Sequence, residues 1–456
     1  MNRLKDYAQF VGDDYVESLY DSASRLDGKS MVHVNSTYYG GGVAEMLNSY
    51  VPLLNDAGLA TEWRLLKGSK EFFSVTKKIH NSLQGKGIPL SKADVECYEE
   101  TIASNAEFTN LDWYDLVVVD DPQPCGLIKH FSRESPSFFK PLPAFLKLLE
   151  FQKKQPWVWR CHIDLSSPNR KTWGYLKEML RDYDAIVVSA RRYKTQLNKP
   201  HHYITPAIDP LSDKNRKLSD AQVERELKKN GIDGGDGVPL IVQVSRFDPW
   251  KDPLGVLEAF RRVRKKTRCK LVLIGSMASD DPEGDKVFQK VYEQARKNDD
   301  VTLITVQSDL LVNALQTRAS VVVQKSVREG FGLTVSEAMW KGTPVVGSRV
   351  GGIPLQIDNG VNGYLADGVQ ECADRIHYLL THESKARELG RNAIEKVRKN
   401  FLMPRLVKDE IDLFKSLTKN SAVKHLKYHQ ERLLKGLEPV KKVFSPLYGG
   451  RLFGLR

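Results

Sequence analysis

Short apolar runs alternate with amphipathic stretches along most of this chain. In the first half, the segments that predict β-strands are 31–34, 114–122, 156–168 and 183–190. Residues 43–58, after the first run, have helical spacing, and Gly58 marks the expected end of that helix. Apolar strands separated by helices are typical of a parallel sheet that is covered by helices on both faces.

A second series of the same kind begins after a change in composition. Residues 206–239 are rich in Pro, Gly, Asp and Lys, which predicts a boundary between two domains. The segments that contain the strands predicted after it are 239–252, 269–276, 300–307, 319–326 and 343–352. The sequence therefore predicts an α/β fold with two facing, doubly wound Rossmann-like domains. Their ligand would lie in the cleft between them, at the carboxyl ends of the strands.

Length and composition agree with a two-domain globular protein. The chain has 456 residues, of which 41% are hydrophobic and 28% charged. No apolar run approaches the ~20 residues of a membrane-spanning helix, and no signal-peptide pattern is present at the N-terminus. The five cysteines are scattered, without a Cys-x-x-Cys pair. This usage predicts free thiols in a reducing, cytoplasmic environment rather than a disulfide framework or a zinc site.

The net charge of +12 is concentrated at the C-terminal end. Residues 421–456 contain eight Lys or Arg and two acids, which is half of the excess. Aromatic residues lie between these cations (Tyr428, Phe444, Tyr448 and Phe453). For this basic tail we expect a helix against the first domain followed by a flexible end. Contact with an anionic surface, either nucleic acid or membrane, is the alternative.

Three glycines, Gly40, Gly41 and Gly42, separate the first predicted strand from the helix after it. Glycine lets a phosphate or a sugar come close to the backbone, and a helix N-terminus favours negative charge. A tight strand-to-helix turn without a ligand is the alternative.

Two cations, Arg246 and Lys251, lie on a loop directly after the first strand of the second series. An arginine fork and a lysine point charge at such a place suit a diphosphate. Incidental charges on a solvated loop are the alternative.

The acids Glu329 and Glu337 bracket the glycines Gly330 and Gly332 before a predicted helix. Glycines permit close approach, the first N–H groups of a helix can hold phosphate oxygens, and the carboxylates can accept hydrogen bonds from hydroxyls of a sugar or a ribose. An acid on the helix surface is the alternative for Glu337. Glycosidases also pair two carboxylates, at ~5–9 Å, but two acids on one short segment fit that arrangement less well.

Further polar residues follow the strands of the first series. His162, Asp121 and Asp164 lie at strand ends or in the loops after them, where a second substrate needs polar contacts. His80 lies within a predicted helix. For each histidine, a structural role with the ring bonded to the backbone is the alternative.

Several of these segments together resemble a known enzyme family. "SRFDPWK" (245–251) and "REGFGLTVSEAMWKGTPVVG" (328–347) resemble the retaining glycosyltransferases of group 1, or family 4, which have the GT-B fold and two glutamates separated by seven residues. Within that family, "HVNSTYYGGGVAEML", "IHNSLQG", "DDPQP" and "WRCHIDLSSPN" are similar to trehalose glycosyltransferring synthases and to the related retaining trehalose phosphorylases. The resemblance covers about residues 1–417.

The resemblance implies roles for individual residues. Arg246 and Lys251 would neutralise the donor diphosphate, and Glu329 would hold hydroxyls of the transferred glucose. Glu337 would bind the ribose, and His162 would contact the donor sugar near its reacting carbon. The other implied positions are on the donor side (Gly41, Gly42, Gly330, Phe331, Gly332, Leu333 and Thr334) and on the acceptor side (His80, Asp121, Gln123 and Asp164).

The resemblance also implies a task for each domain. Residues 1–210 would form the acceptor-side domain, 211–238 a linker, and 239–400 the domain that binds the nucleotide sugar. Residues 401–420 are expected to be a terminal helix that packs back on the first domain, before the basic tail. Residues 130–155 are longer than the corresponding family segment, and we expect a lid or an extra helix near the acceptor there.

The implied reaction moves glucose from an NDP-glucose (ADP-, UDP- or GDP-glucose) to glucose and forms α,α-trehalose with retention of configuration. The departing phosphate would take the acceptor proton; a double displacement is the alternative, for which the sequence offers no well-placed nucleophile. No cofactor is required, with Mg²⁺ left open as a stimulant, and a homodimer is an open option. The alternative functions are a retaining trehalose phosphorylase, a family 4 transferase with another acceptor, and a nucleotide-sugar-binding regulator without turnover.

Overall fold

Two six-stranded sheets form the framework of this protein, and every strand in them is parallel to its neighbours. The computed structural model describes residues 2–38, 41–131, 155–232, 237–275 and 282–418. The first sheet has the order β2-β1-β3-β4-β5-β6, and its strands are β1 (Ser30–Asn35), β2 (Ala60–Leu65), β3 (Leu116–Asp120), β4 (Trp157–Cys161), β5 (Ala185–Val188) and β6 (His201–Tyr203). The second sheet has the order β12-β11-β10-β7-β8-β9, and its strands are β7 (Leu240–Val244), β8 (Lys270–Ile274), β9 (Val301–Ile304), β10 (Val321–Gln324), β11 (Val345–Ser348) and β12 (Tyr364–Ala366). The predicted α/β fold with two parallel sheets is confirmed.

Helices connect the strands and cover the sheets. In the first half they are α1 (Ala8–Val11), α2 (Asp13–Ser24), α3 (Gly42–Asp56), α4 (Lys70–Leu83), α5 (Lys92–Thr109) and α6 (Arg170–Leu180). In the second half they are α7 (Asp220–Lys229), α8 (Pro253–Arg264), α9 (Pro282–Ala295), α10 (Asp309–Arg318), α11 (Leu333–Trp340), α12 (Ile353–Gln356), α13 (Gly368–Thr381) and α14 (Glu383–Asn400), followed by α15 over residues 403–418. Short 3₁₀ turns include Cys125–His130 and Pro249–Lys251.

Each sheet is buried on both faces, as its apolar strand sequences require. One face of the first sheet packs against α4, α5 and α6, and the other packs against α2, α3 and α15. The second sheet lies between α7, α10, α11 and α14 on one side and α8 and α13 on the other. Valine, isoleucine and leucine at alternate strand positions therefore fill a separate core on each face.

The strand orders reverse at one place in each sheet. In the first sheet the chain moves outward from β1 to β2 and then returns to the other side of β1 as β3. In the second sheet β7 is flanked by β8 and β10 in the same manner. Connections leave in opposite directions at such a point and open a crevice at the carboxyl ends of the strands. The fold therefore places the loops after β1, β3, β7 and β10 at the two crevices.

The chain crosses from one sheet to the other twice, and backbone hydrogen bonds join these two passages. The Ile208 amide donates to the Phe401 carbonyl at 2.8 Å, and the Met403 amide donates to the Ile208 carbonyl at 3.1 Å. After the second passage, α15 lies in the same core as β1 and β3. A buried ion pair between Glu410 of α15 and Arg160 of β4 attaches this helix to the first sheet.

Some sequence predictions lie outside the described residues. These are the position of Gly40, nearly all of the long segment 130–155, and the basic tail 421–456. Within the described ranges, every helix is too short or too polar to cross a bilayer.

Candidate active site

The carboxyl ends of the two sheets meet at a close contact between β4 and the loop before α11. A Cβ atom added to Gly330 would lie 2.0 Å from the carbonyl oxygen of His162, so only glycine fits at this contact. The Tyr193 hydroxyl lies 3.0 Å from both the Glu329 and the Gly330 carbonyl oxygens. His162 and Glu329, which are both predicted to contact the donor sugar, therefore lie on opposite sides of this contact.

Lys251 and Glu329 form the central ion pair of the site. Lys251 ends a short 3₁₀ turn after β7, and its Nζ donates to Glu329 Oε2 at 2.5 Å. The same oxygen accepts hydrogen bonds from Gln324 Nε2 at 3.1 Å and from Ser326 Oγ at 3.0 Å. Both charged side chains are mostly buried, with 19% of Lys251 and 8% of Glu329 exposed. An ammonium group is thus held beside a carboxylate at the mouth of the second sheet.

Arg246 lies on the same loop but makes no contact with Glu329 among the interactions of the described residues. Its Nη2 atom is 3.5 Å from Asp248 Oδ2, and 38% of its side chain is exposed. The side chain of Asp248 accepts from the Trp250 amide and so shapes the turn that presents Lys251. Arg246 is therefore a second cation near the cleft that is accessible to a ligand.

The loop after Glu329 leads directly into the N-terminus of α11. Gly332 has a left-handed backbone with φ of 83° and precedes the first helical residue, so no side chain caps this helix. Gly42, at the start of α3, faces Leu333, because a Cβ atom on Gly42 would lie 2.9 Å from Leu333 Cδ1. The start of α11 thus offers backbone N–H groups, including those of Leu333 and Thr334, for phosphate oxygens.

Glu337 lies one turn further along α11 and is buried, with 2% of the residue exposed. Its Oε2 atom accepts from Gln316 Nε2 at 3.3 Å, and its backbone carbonyl accepts from Lys341 Nζ at 3.2 Å. Burial lowers the pKa of Lys341 to about 8, although Glu337 acts in the opposite direction. The alternative of an ordinary surface acid for Glu337 is therefore wrong.

A cluster of charges next to Glu337 joins the two halves of the molecule. Lys214, from the first passage between the sheets, donates to Glu45 Oε2 of α3 at 2.6 Å and lies 3.5 Å from Asp309. Burial and the nearby Glu337 carboxylate raise the pKa of Glu45 to about 7, which Lys214 partly opposes. Burial would lower the pKa of Lys214, but Glu337, Glu45 and Asp309 together raise it.

On the side of the first sheet, Asp121 and His162 are bonded to each other at the ends of β3 and β4. Asp121 Oδ1 accepts from the His162 amide at 2.8 Å. Asp121 has a left-handed backbone with φ of 68°, which costs a non-glycine residue roughly 1–3 kcal/mol and is typical of functional sites. Burial raises the pKa of the Asp121 carboxyl above its ordinary value.

The remaining predicted acceptor residues lie in the loops after β3 and β4 and in the last turn of α4. Asp164 Oδ1 accepts from the Ser166 amide at 2.8 Å, and its Oδ2 lies 3.5 Å from Arg328 Nη1. Within the described part of the chain, the buried Oε1 atom of Gln123 has no hydrogen-bond partner. His80 lies in the last turn of α4 and is half-buried.

Comparison with known proteins identifies the family of this chain. Residues 33–142 and 140–195 match the family model of the trehalose synthase N-terminal domain, and residues 223–396 match that of group 1 glycosyl transferases. The trehalose synthase of Rubrobacter xylanophilus is 44% identical over 424 residues, which cover 91% of this chain and 97% of that protein. The chain belongs to the trehalose synthase family. It is accordingly a hexosyltransferase of group 1.

Two further similarities are more distant. A trehalose phosphorylase of Grifola frondosa is 29% identical over 428 residues, which cover 82% of this chain but 55% of that protein. The solved structure of Anabaena HepE in complex with UDP and glucose has a TM-score of 0.62 at 15% identity and covers 85% of this chain and 100% of that chain. This chain of the trehalose synthase family thus has the GT-B fold.

The structure adds residues to the candidate site to which the sequence motifs gave no role. Tyr193 contacts the loop before α11 from 136 positions away, and Gln324 and Ser326 fix the carboxylate of Glu329. His33 is a fully buried polar residue within β1, and Asp120 ends β3. Both begin segments that carry the family resemblance, "HVNSTYYGGGVAEML" and "DDPQP", but those segments alone gave neither residue a role.

We find no group of three or more His, Cys, Asp or Glu side chains that could hold a metal ion in the part of the chain that the structure describes.

Proposed function

We propose that this protein transfers glucose from an NDP-glucose to glucose and forms α,α-trehalose with retention of configuration. The observation that carries the proposal is the placement of Lys251 and Glu329 beside the open N-terminus of α11, opposite His162. The high identity to a trehalose synthase along nearly its whole length supports the choice of product.

On the donor side, cations and amides would share the diphosphate. Arg246 and Lys251 supply positive charge, and the N–H groups at the start of α11 supply directed hydrogen bonds. Gly41 and Gly42 leave room for the phosphates against this helix start. Glu329 would accept hydroxyls of the glucose, and the HepE complex with UDP and glucose supports a nucleotide-sugar donor in this fold.

Glu337 would accept the hydroxyls of the donor ribose. Its carboxylate is buried within one helical turn of Leu333, at which the phosphates would lie. The Gln316 amide orients one carboxylate oxygen in advance, so little reorganisation is needed when a ribose arrives.

On the acceptor side, Asp121, Asp164, Gln123 and His80 would hold the incoming glucose. Among the described residues, the buried side-chain Oε1 atom of Gln123 has no hydrogen-bond partner, and such a group costs about 1–3 kcal/mol until a donor reaches it. A sugar hydroxyl would supply that donor. The strained, partly buried Asp121 beside His162 would orient the attacking hydroxyl.

The chemistry would follow a front-face route. The bond between the glucose C1 and the phosphate oxygen lengthens, and the acceptor oxygen bonds to C1 from the same face. The acceptor proton passes to the departing phosphate oxygen, so no protein base is required. Lys251, Arg246 and the α11 amides stabilise the departing charge, and one such fixed donor is typically worth about 2.7–4 kcal/mol.

An activity panel tests this proposal. Purified protein is incubated with ADP-, UDP- and GDP-glucose and with glucose, glucose 6-phosphate or fructose, with and without Mg²⁺, and NMR identifies the product. We expect α,α-trehalose from glucose and at least one donor. A β-linked product, transfer only to another acceptor, or no transfer would overturn the proposal.

The same preparation tests the phosphorylase alternative, which the Grifola frondosa similarity keeps open. Trehalose and inorganic phosphate are supplied without any nucleotide, and glucose 1-phosphate is measured. Its formation would favour the phosphorylase. We expect none, because the identity is 44% to the Rubrobacter xylanophilus trehalose synthase and 29% to this phosphorylase.

A further inference from the structure

A single buried carboxylate lies between two histidines at the ends of β1, β3 and β4. Asp120 Oδ2 is 2.8 Å from His33 Nδ1, and Asp120 Oδ1 is 2.9 Å from His162 Nε2. The side chains of Asp120 and His33 are fully buried, and 9% of the His162 side chain is exposed. The Tyr50 hydroxyl contacts the His33 ring from α3. Each carboxylate oxygen therefore serves one ring.

This arrangement determines where the ring protons are. Burial alone would raise the pKa of Asp120, but the His33 and His162 rings hold that pKa well below its usual value, so the carboxylate is ionised. An ionised carboxylate can only accept hydrogen bonds. Both ring nitrogens that face it must then carry hydrogen, which places the His162 proton on Nε2. In the neutral ring, Nδ1 is left with a lone pair.

The other ring nitrogen of His162 is the one that remains for a ligand. Within the described part of the chain, Nδ1 has no hydrogen-bond partner, whereas the His162 amide is bonded to Asp121. The His162 carbonyl lies against Gly330, at the contact between the two halves of the molecule. The residue is thus fixed on two sides and stands at the cleft.

We propose that Asp120 is a positioning residue for His162: its carboxylate keeps the ring proton on Nε2 and leaves the Nδ1 lone pair to accept a hydroxyl of the transferred glucose. The charge of Asp120 also polarises the ring and makes Nδ1 more negative. A more negative Nδ1 stabilises the positive charge that develops on the sugar during transfer. The contact with glucose rests on the proposed function, whereas the proton position on His162 does not.

The proton position is tested directly in the wild-type protein. The full chain is labelled with ¹⁵N-histidine, and long-range ¹H–¹⁵N spectra show which ring nitrogen carries hydrogen. The signal that disappears in His162→Gln assigns the residue among the ten histidines. We expect a neutral His162 ring protonated on Nε2. Protonation on Nδ1 overturns the proposal without any assay of activity.

The kinetic test compares Asp120→Asn with His33→Asn. The first removes the charge behind His162, and we expect kcat to fall on the order of 10²-fold or more, while KM for the donor changes little. The second keeps the charge of Asp120 and offers its Oδ2 an N–H, so we expect a smaller loss of kcat than in Asp120→Asn. Thermal unfolding of each variant shows whether it is folded.

The outcomes separate the positioning role of Asp120 from the proposed function of the protein. Equal losses of kcat in both variants, or an Asp120→Asn enzyme as active as wild type, would overturn the positioning role. If either variant fails to fold, the wild-type spectrum still decides. Failure of the wild-type protein to make trehalose would overturn the proposed function alone and leave the proton position measured.

Discussion

At the scale of single residues, the carboxylate of Glu329 has the densest set of hydrogen bonds in the cleft. One of its oxygens accepts from Lys251, Gln324 and Ser326 at once. An oxygen that is held by three donors cannot rotate freely. The other oxygen is thereby given a fixed direction, which is what recognition of a sugar hydroxyl requires.

The substitution Glu329→Gln tests this arrangement. The amide removes the negative charge that pairs with the mostly buried Lys251, and it cannot accept from three donors without reorganisation. We expect kcat/KM for trehalose formation to fall by about 10²- to 10³-fold with little change in the melting temperature. Steady-state kinetics and thermal unfolding measure the two effects.

The matched control is Glu258→Gln, which removes an acid of the same type from an exposed pair with Arg262 on α8. We expect its kinetics to equal those of wild type. A Glu329→Gln enzyme that retains wild-type activity would remove Glu329 from the proposed site.

Which residues could be predicted depended on the distance between partners along the chain. Glu329 and the glycines after it are neighbours in sequence, so their shared task was visible as a motif. The Asp120–His33 contact spans 87 positions, and the Tyr193–Glu329 contact spans 136. No local pattern records such pairs, because strand order and sheet packing bring them together.

At the scale of elements, the turn between β10 and α11 depends on its contact with the end of β4. Gly330 lies against the His162 carbonyl, and Gly351, before α12, would place a Cβ atom 1.6 Å from the Glu329 carbonyl. Two elements thus confine this turn from opposite sides. The alternation of apolar and polar residues predicted the strands and helices themselves. It did not predict this three-way packing, because the packing depends on two glycines, which have no side chain to separate the backbones.

The substitution Gly330→Ala tests the contact. The added methyl group would lie 2.0 Å from the His162 carbonyl oxygen, so the turn and β4 must separate. A displacement near 1 Å at a reacting centre can cost about 10²-fold, and we expect a loss of kcat/KM of that order. Overpacking should also lower stability by roughly 1–3 kcal/mol. Kinetics and urea unfolding measure both.

Gly174→Ala is the control of the same chemistry. Gly174 lies within α6, and an added Cβ atom meets no atom within 4 Å. Because alanine is the better helix former, we expect this variant to gain about 0.5–1 kcal/mol with unchanged kinetics. Normal activity in Gly330→Ala would contradict the tight contact.

At the scale of the whole molecule, the charge cluster of Glu45, Lys214, Asp309 and Glu337 links the stability of the fold to pH. It joins α3 of the first half to α10 and α11 of the second through a lysine on the connecting segment. The composition of that segment predicted a boundary. The charges that interact with it could not be predicted, since they come from three separate elements.

The pH dependence of unfolding tests this cluster through Glu45→Gln. The pKa of Glu45 is raised to about 7 in the folded protein, mainly by burial. The folded state therefore keeps this proton to a higher pH than the unfolded state, and the group's contribution to stability is lost as pH rises through about 7. Glutamine does not titrate, so we expect the free energy of unfolding of the variant to improve relative to wild type between pH 5 and pH 8.

Urea unfolding of both proteins at pH 5, 6, 7 and 8 gives this difference. A difference that is constant across these pH values would show that Glu45 does not titrate in this range. Glu395→Gln, in an exposed pair with Arg398, serves as the surface comparison.

The two chain passages that run side by side at Ile208 and Phe401 also limit how the cleft opens. Because both covalent connections lie at one place and are bonded to each other, they act as a common hinge. The halves are then expected to swing apart about it rather than slide past one another. Spin-label distances between the two halves should accordingly grow with separation from Ile208, and substrate should enter from the rim opposite the hinge.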